Sequence, residues 1–209
     1  MLDRVRVARG AGKSAAGLVV FAVLAVASGR AGAADLFDES VRAQILKHND
    51  GRVFLNRHKE SYDLILLDAY REFGVPFHLL TREFYELVKA RLAPGGAVAS
   101  NVSGNTLLFR STLATFCAVF ATVDVDPDWK QPDEAQAVVV ATPSARPDTE
   151  ALMQRATALQ AQHHFRYPLS EVVGKRVIDG DAGNGQVLTD DFAPVNLYET
   201  IPLRAQQRE

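Results

Sequence analysis

Carboxylates at Asp50, at Asp68 and in the pair Asp190-Asp191 have the neighbours that chemistry needs. Asp68 closes the run Tyr62-Asp-Leu-Ile-Leu-Leu-Asp68, in which Leu64–Leu67 are consecutive apolar residues. Such a run predicts a parallel strand covered on both faces. The carboxyl end of that strand is where open α/β sheets place their ligands. Asp50 stands in Asn49-Asp50-Gly51, where a short strand expected over Val41–Lys47 ends and before a helical turn expected over Arg52–Arg57. Asp190 and Asp191 lie in Leu188-Thr-Asp-Asp-Phe-Ala-Pro194. They read either as an acidic lip facing a cation or as the turn residues usual before Ala-Pro.

Other reactive side chains are less promising. His48, His58, His163 and His164 lack metal-ligand spacing. His78 stands where a helix begins, beside the expected cleft, and a structural role at the helix start is the simpler reading. Cys117, the lone cysteine, lies in the apolar run Thr-Phe-Cys-Ala-Val-Phe120 and is expected to be a buried structural thiol. Asp128 and Trp129 could form a rim, with a packed aromatic as the default for Trp129. Gly10-Ala-Gly-Lys-Ser14 imitates the end of a phosphate loop, but Val7 occupies the place of its first glycine. It also imitates a nucleotide-binding GxGxxG turn after Val5–Val7, with Ala15 in the third glycine position.

The elements that must position these residues follow an α/β pattern. Leu80, Phe84, Leu87, Val88 and Leu92 recur at helical spacing within a helix expected over Leu79–Leu92, with Thr81 as N-cap. Pro94-Gly95-Gly96 ends that helix, and Ala97–Val102 reads as the next strand. Thr106–Phe120 reads as a second helix, Thr122–Val125 and Ala135–Ala141 as strands, and Thr149–Gln162 as a helix capped by Asp148. Tyr167–Asn184 reads as loop-rich.

With 209 residues, 47% of them hydrophobic, the chain is long enough for one domain with a sizeable core. A net charge of −2 gives no electrostatic case for nucleic acid. Arg4, Arg6, Arg9 and Lys13 precede the apolar run Ala15–Ala27, and Ala31 and Ala33 follow it. That is the pattern of a secretory signal cleaved after Ala33. A membrane anchor through residues 15–27 and a buried helix are the competing readings, the run being shorter than the roughly 20 residues that span a bilayer. The expected division is a leader over 1–34 and an α/β domain over 35–209.

Asp50-Gly51-Arg-Val-Phe-Leu55, Tyr62–Asp68, Thr81-Arg-Glu-Phe-Tyr-Glu86 and Leu92-Ala-Pro-Gly-Gly96, taken in that order, resemble the spermidine synthase family of polyamine aminopropyltransferases. Leu188–Pro194 is similar to a segment of bacterial spermidine synthase-like proteins. The resemblance covers roughly residues 41–197. It implies a Rossmann-like sheet of the class I S-adenosylmethionine-dependent methyltransferase type, truncated at its N-terminal side. It also implies aminopropyl transfer from decarboxylated S-adenosylmethionine, as co-substrate and with no permanently bound cofactor, to a polyamine such as putrescine.

In this family pattern Asp50, Gly51, Asp68, Ala69 and Pro76 approach the nucleoside, and Asp68 serves as the base. Tyr70, Asp190 and Asp191 would face the polyamine. An ammonium is no nucleophile, so a carboxylate must hold the cation and take its proton near the sulfonium carbon. Two departures stand out. Arg71 occupies the position of a second family acid, and no clear glycine-rich cofactor loop or ribose-gripping acid precedes Asp50.

An S-adenosylmethionine-dependent methyltransferase shares the fold, and an inactive truncated relative serving as a binding module is the non-enzymatic alternative. Because the donor is a cytoplasmic metabolite, the enzyme reading implies a cytoplasmic or membrane-associated protein, whereas a cleaved leader implies secretion. A homo-oligomer is compatible with either.

Overall fold

Leu64, Ile65 and Leu66 are 1%, 5% and 2% exposed, although successive residues of a strand point to opposite faces. The central run is therefore covered from both sides, as its continuous apolar sequence requires. The computed structural model describes residues 5–9, 43–46, 50–68, 75–103, 106–127, 136–162, 168–178 and 180–200. In chain order their elements are β1 (Val5–Arg9), β2 (Ala43–Leu46), α1 (Gly51–Arg57), β3 (Tyr62–Asp68) and a 3-10 turn (Phe77–Leu79). Then come α2 (Arg82–Ala90), β4 (Leu92–Ser103), α3 (Leu107–Val119), β5 (Thr122–Pro127) and β6 (Gln136–Thr142). The last are α4 (Thr149–Gln162), α5 (Leu169–Lys175), β7 (Val177–Ile178) and α6 (Val195–Glu199).

The strands form one sheet in the order β2-β1-β3-β4-β6-β5-β7. β2, β1, β3 and β4 run parallel, β6 runs antiparallel to both β4 and β5, and β7 antiparallel to β5. This is the mixed sheet of the expected Rossmann-like, methyltransferase-type class. The chain moves from β1 outward to β2 and then returns past β1 to β3. Strand order therefore reverses between β1 and β3, which opens a crevice outside their carboxyl ends. Arg9, the last residue of β1, is in register with Asp68, the last of β3.

Val5–Arg9 falls within the stretch read as a leader. The apolar run 15–27 and the segment 10–14 lie outside the described residues. Among the described residues no helix is long and apolar enough to cross a membrane.

Helix α2 begins at Thr81, whose hydroxyl accepts from the Phe84 amide at 3.3 Å. It buries Phe84, Tyr85 and Val88 against the sheet, and the Tyr85 ring stacks on Phe116 of α3 with centroids 4.1 Å apart. The expected helix Leu79–Leu92 is thus shorter, preceded by the 3-10 turn. Pro94-Gly95-Gly96 does not end that helix, which stops at Ala90; it forms a bulge inside β4, which begins at Leu92. Tyr62 pairs with Leu92 and Leu64 with Ala97, so two steps along β3 are matched by five along β4. Gly95 has φ 78, in the left-handed region. A Cβ on Gly96 would lie 2.9–3.1 Å from the carbonyl oxygens of Ala93, Tyr62 and Asp63.

One further expectation is corrected. Cys117 is exposed, because it lies on the outer side of α3, between Phe116 and Val119, which are buried. The loop-rich stretch Tyr167–Asn184 also contains α5 and β7. Leu169 and Val173, four residues apart on α5, pack against Leu152, Ala156 and Leu159 of α4. This pair lies on the face of β5 opposite the main core. Val123 and Val125 join that core, whereas Asp124 points the other way, to Arg146 and Arg176.

Arg146 donates to Asp124 Oδ1 from Nε and Nη2 at 3.0 and 2.8 Å, and Arg176 Nη1 donates to Oδ2 at 3.3 Å. Asp124 and Arg176 are both buried. Removing the carboxylate would leave a buried cation unpaired, a change that usually costs about 3–5 kcal/mol. Asp124→Ala is predicted to lower unfolding free energy by about that amount in urea titrations, with a lower denaturation midpoint.

Candidate functional site

The site is built where three separate segments meet on the carboxyl side of the parallel strands. The first is the start of α1. Asp50, extended at φ −61 and ψ 125, caps that helix: its Oδ1 accepts the amides of Arg52 at 2.9 Å and Val53 at 3.0 Å. Capping is a favoured task for an aspartate preceding a helix. Gly51, the first helical residue, faces open space where a side chain would begin: among the described residues a Cβ there would meet no heavy atom within 4 Å.

The second segment runs from Pro76 into α2. Pro76 initiates the 3-10 turn, and two residues later His78 Nε2 lies 2.5 Å from Asp50 Oδ2. The third is the turn Thr189–Phe192, held to α2 by a bond from the Arg82 amide to the Leu188 carbonyl at 2.8 Å. There the Asp190 carboxylate receives both terminal nitrogens of Arg52, at 2.7 and 2.5 Å, and the Thr81 hydroxyl at 2.7 Å. The Asp190 amide donates to Glu83 at 3.0 Å. Arg52 Nη1 also reaches the His78 carbonyl at 3.3 Å.

The segment leading to this turn is pinned along α3. Ser111 and Thr115 hydroxyls accept the amides of Gln186 at 3.2 Å and Leu188 at 2.9 Å. Just before them the backbone comes so close that a Cβ on Gly185 would fall 2.2 Å from the Arg110 carbonyl oxygen.

These contacts bring together Asp50, Gly51, Pro76 and Asp190, with exposed Asp191 beside the last. Asp68 ends β3 at the strand-order reversal. Its side chain, and Ala69, Tyr70 and Arg71, lie outside the described residues, as do Asp128 and Trp129. Sequence reasoning did not find Arg52, which sits 138 positions from its partner and carries no chemical signature of its own. For His78 it favoured a role at a helix start; the structure gives it Asp50 as a partner. Among the described residues no cluster of three or more His, Cys, Asp or Glu side chains is placed to hold a metal ion.

The charges reinforce one another. Burial alone pushes the Asp50 carboxyl upward, but the Val53 amide, His78 and the Arg52 amide together outweigh it and hold the group below its usual range. The hydrogen bonds from Arg52 hold the Asp190 carboxyl low, against a smaller opposing effect of burial and with help from Thr81. The same pairing raises the Arg52 guanidinium.

No protein-family model matches the chain. The polyamine aminopropyltransferase of Vibrio vulnificus (strain CMCP6) is 31% identical over 156 residues, which is 72% of this chain and 51% of that protein. The chain belongs to the spermidine synthase-like family. It spans about half the length of the curated relatives it matches, since a probable polyamine aminopropyl transferase of Bifidobacterium longum (strain NCC 2705), 25% identical over 79% of this chain, is covered over 40%. Two solved structures share the fold of this spermidine synthase-like chain. A spermidine synthase in complex with the transition state analogue AdoDATO gives a TM-score of 0.55 at 17% identity, over 83% of this chain and 65% of its own. Human methyltransferase-like protein 13 in complex with SAH gives 0.56 at 18% identity, over 80% and 84%.

The lowered Asp190 carboxyl has a definite pH signature. A carboxylate whose pKa falls on folding stabilises the fold above its unfolded value, about 3.9, and loses that effect as pH drops through the folded value. The pair is partly exposed, so the stability difference between wild type and Asp190→Asn is predicted to be at most about 1 kcal/mol. Urea titrations should find it constant above about pH 5 and shrinking at more acid pH.

Proposed function

We propose that this site transfers an aminopropyl group from decarboxylated S-adenosylmethionine to a polyamine such as putrescine. Asp68 is the base. It takes a proton from the acceptor ammonium, and the freed amine attacks the propyl carbon on the sulfonium. The carbon–nitrogen bond forms as the carbon–sulfur bond breaks, and its electron pair neutralises the sulfur of the departing thioether nucleoside. Asp50, Gly51, Ala69 and Pro76 hold the nucleoside, while Tyr70 and Asp191 face the polyamine.

The observation that carries this reading is the placement of Asp68 as the last residue of β3, beside the strand-order reversal. The similarity to polyamine aminopropyltransferases supports it. So do the adenosyl ligands named for two proteins of like fold, AdoDATO and SAH.

Asp50 retains the capacity to receive the nucleoside amine. A carboxylate offers about four lone-pair sites. Oδ1 uses two on the helix amides and Oδ2 uses one on His78, which leaves one on Oδ2. The open space at Gly51 lets a planar ligand approach the backbone.

Asp68→Asn is predicted to lower the aminopropyl-transfer rate at saturating substrates by about 10²–10⁴-fold. A rate equal to wild type would remove Asp68 from the mechanism. Gly51→Ala adds a methyl where the protein has room and where helix formation gains, so its thermal midpoint should be equal or higher. Its donor dissociation constant should rise by about tenfold, equivalent to about 1.4 kcal/mol of binding; titration calorimetry measures the binding and scanning calorimetry the midpoint.

A further inference from the structure

We infer that Asp190 is a positioning residue for the donor site, acting through Arg52 on the turn that carries Asp50; this rests on the reading of Asp50 given above. The Asp190 carboxylate is occupied by Arg52 and Thr81. The paired guanidinium neutralises the charge that would draw a polyamine cation to Asp190. What it does instead is fix Arg52.

Arg52 connects to Asp50 by two routes. Through the backbone, its amide donates to Asp50 Oδ1 at 2.9 Å. Through space, its Nη1 bonds the His78 carbonyl at 3.3 Å, and the His78 ring reaches Asp50 Oδ2 at 2.5 Å. The network closes on itself, tying residues 50–53, 76–83 and 188–192 together. A bidentate arginine–carboxylate pair fixes two planes relative to each other, and a lysine point charge does not.

The anchor is firm on the Asp190 side. Its amide is held by Glu83, its side chain by Thr81, and the preceding Leu188 carbonyl by the Arg82 amide. All three holding residues lie at the N-terminal turn of α2. The start of α2 therefore serves as a fixed bracket from which Asp190 reaches across to α1. Because Arg52 and Asp190 are 24% and 41% exposed, breaking the pair changes global stability little. Among the described residues the first turn of α1 is held otherwise by the Asp50 cap and by buried Phe54, while Gly51 has open space around its Cβ position and Val53 is 46% exposed. Loss of the clamp should therefore loosen that turn locally.

The test compares wild type, Asp190→Asn, Arg52→Lys and the double variant, all confirmed folded by circular dichroism. Amide hydrogen exchange without ligand is read at Arg52 (or its lysine replacement) and Val53, with Ile65 of β3 as the internal reference. Exchange at positions 52 and 53 is expected to quicken by about tenfold in each single variant, with Ile65 unchanged and the double variant no worse than either single. Calorimetry with decarboxylated S-adenosylmethionine should find the dissociation constant raised by about tenfold in the same variants, with acceptor KM unchanged. Unchanged exchange at positions 52 and 53 would overturn the clamp. Quickened exchange with wild-type donor affinity would overturn its connection to the donor site. If wild type itself binds no donor, the functional reading falls, and exchange alone decides whether the clamp exists.

Discussion

Strand β3 is covered on both faces, and the rest of the site depends on that burial. Its middle residues Leu64, Ile65 and Leu66 have no room for solvated charge. An ionised carboxylate placed there would face a desolvation penalty of several kcal/mol. The strand can present such a group near its end, and Asp68 is its last residue. Parallel pairing to β1 and β4 sends the carboxyl ends of three strands to the same side of the sheet. The reversal of strand order between β1 and β3 then leaves a crevice beside Asp68 without any need for a special loop.

The surrounding structure brings distant segments to that edge. Tyr85 and Phe116 lock α2 to α3 over the sheet, which fixes Thr81 and Glu83 at the start of α2. Hydroxyls on α3 and the close backbone approach at Gly185 guide the segment 186–188 toward the same place. Asp190 thus arrives from the far end of the chain and meets Arg52 at the start of α1. On the opposite face, the buried Asp124 with Arg146 and Arg176 ties β5 to the ends of α4 and α5. It lies away from the site and shapes the fold without touching the chemistry.

Much of this frame was legible in the residues. A continuous apolar run specifies a doubly covered strand, and Thr81 and Asp148 each cap the helix that the sequence assigns to them. The bulge at Pro94–Gly96 was not legible, because the same residues also end helices; only pairing with Tyr62 and Asp63 separates the two uses. Helix α5 was missed because seven residues carry too few periods to declare themselves, and its two buried residues gain meaning from α4. Asp190 was visible as an acid near a turn, but its partner Arg52 was not, since local spacing holds no record of a contact across 138 positions. Family resemblance pointed to Asp50, Asp68 and Pro76 as a set. The engagement of Asp50 by His78 came from geometry alone.

A carboxyl-edge site that receives a decarboxylated adenosyl donor is the centre of this account. Parallel calorimetric titrations of the wild-type chain with decarboxylated S-adenosylmethionine and with S-adenosylmethionine test it most directly. Saturable binding of the decarboxylated compound is predicted, at least about tenfold tighter than the carboxylated one, a difference of about 1.4 kcal/mol. Tighter binding of S-adenosylmethionine would contradict aminopropyl transfer in favour of methyl transfer, and binding of neither would contradict a donor site altogether.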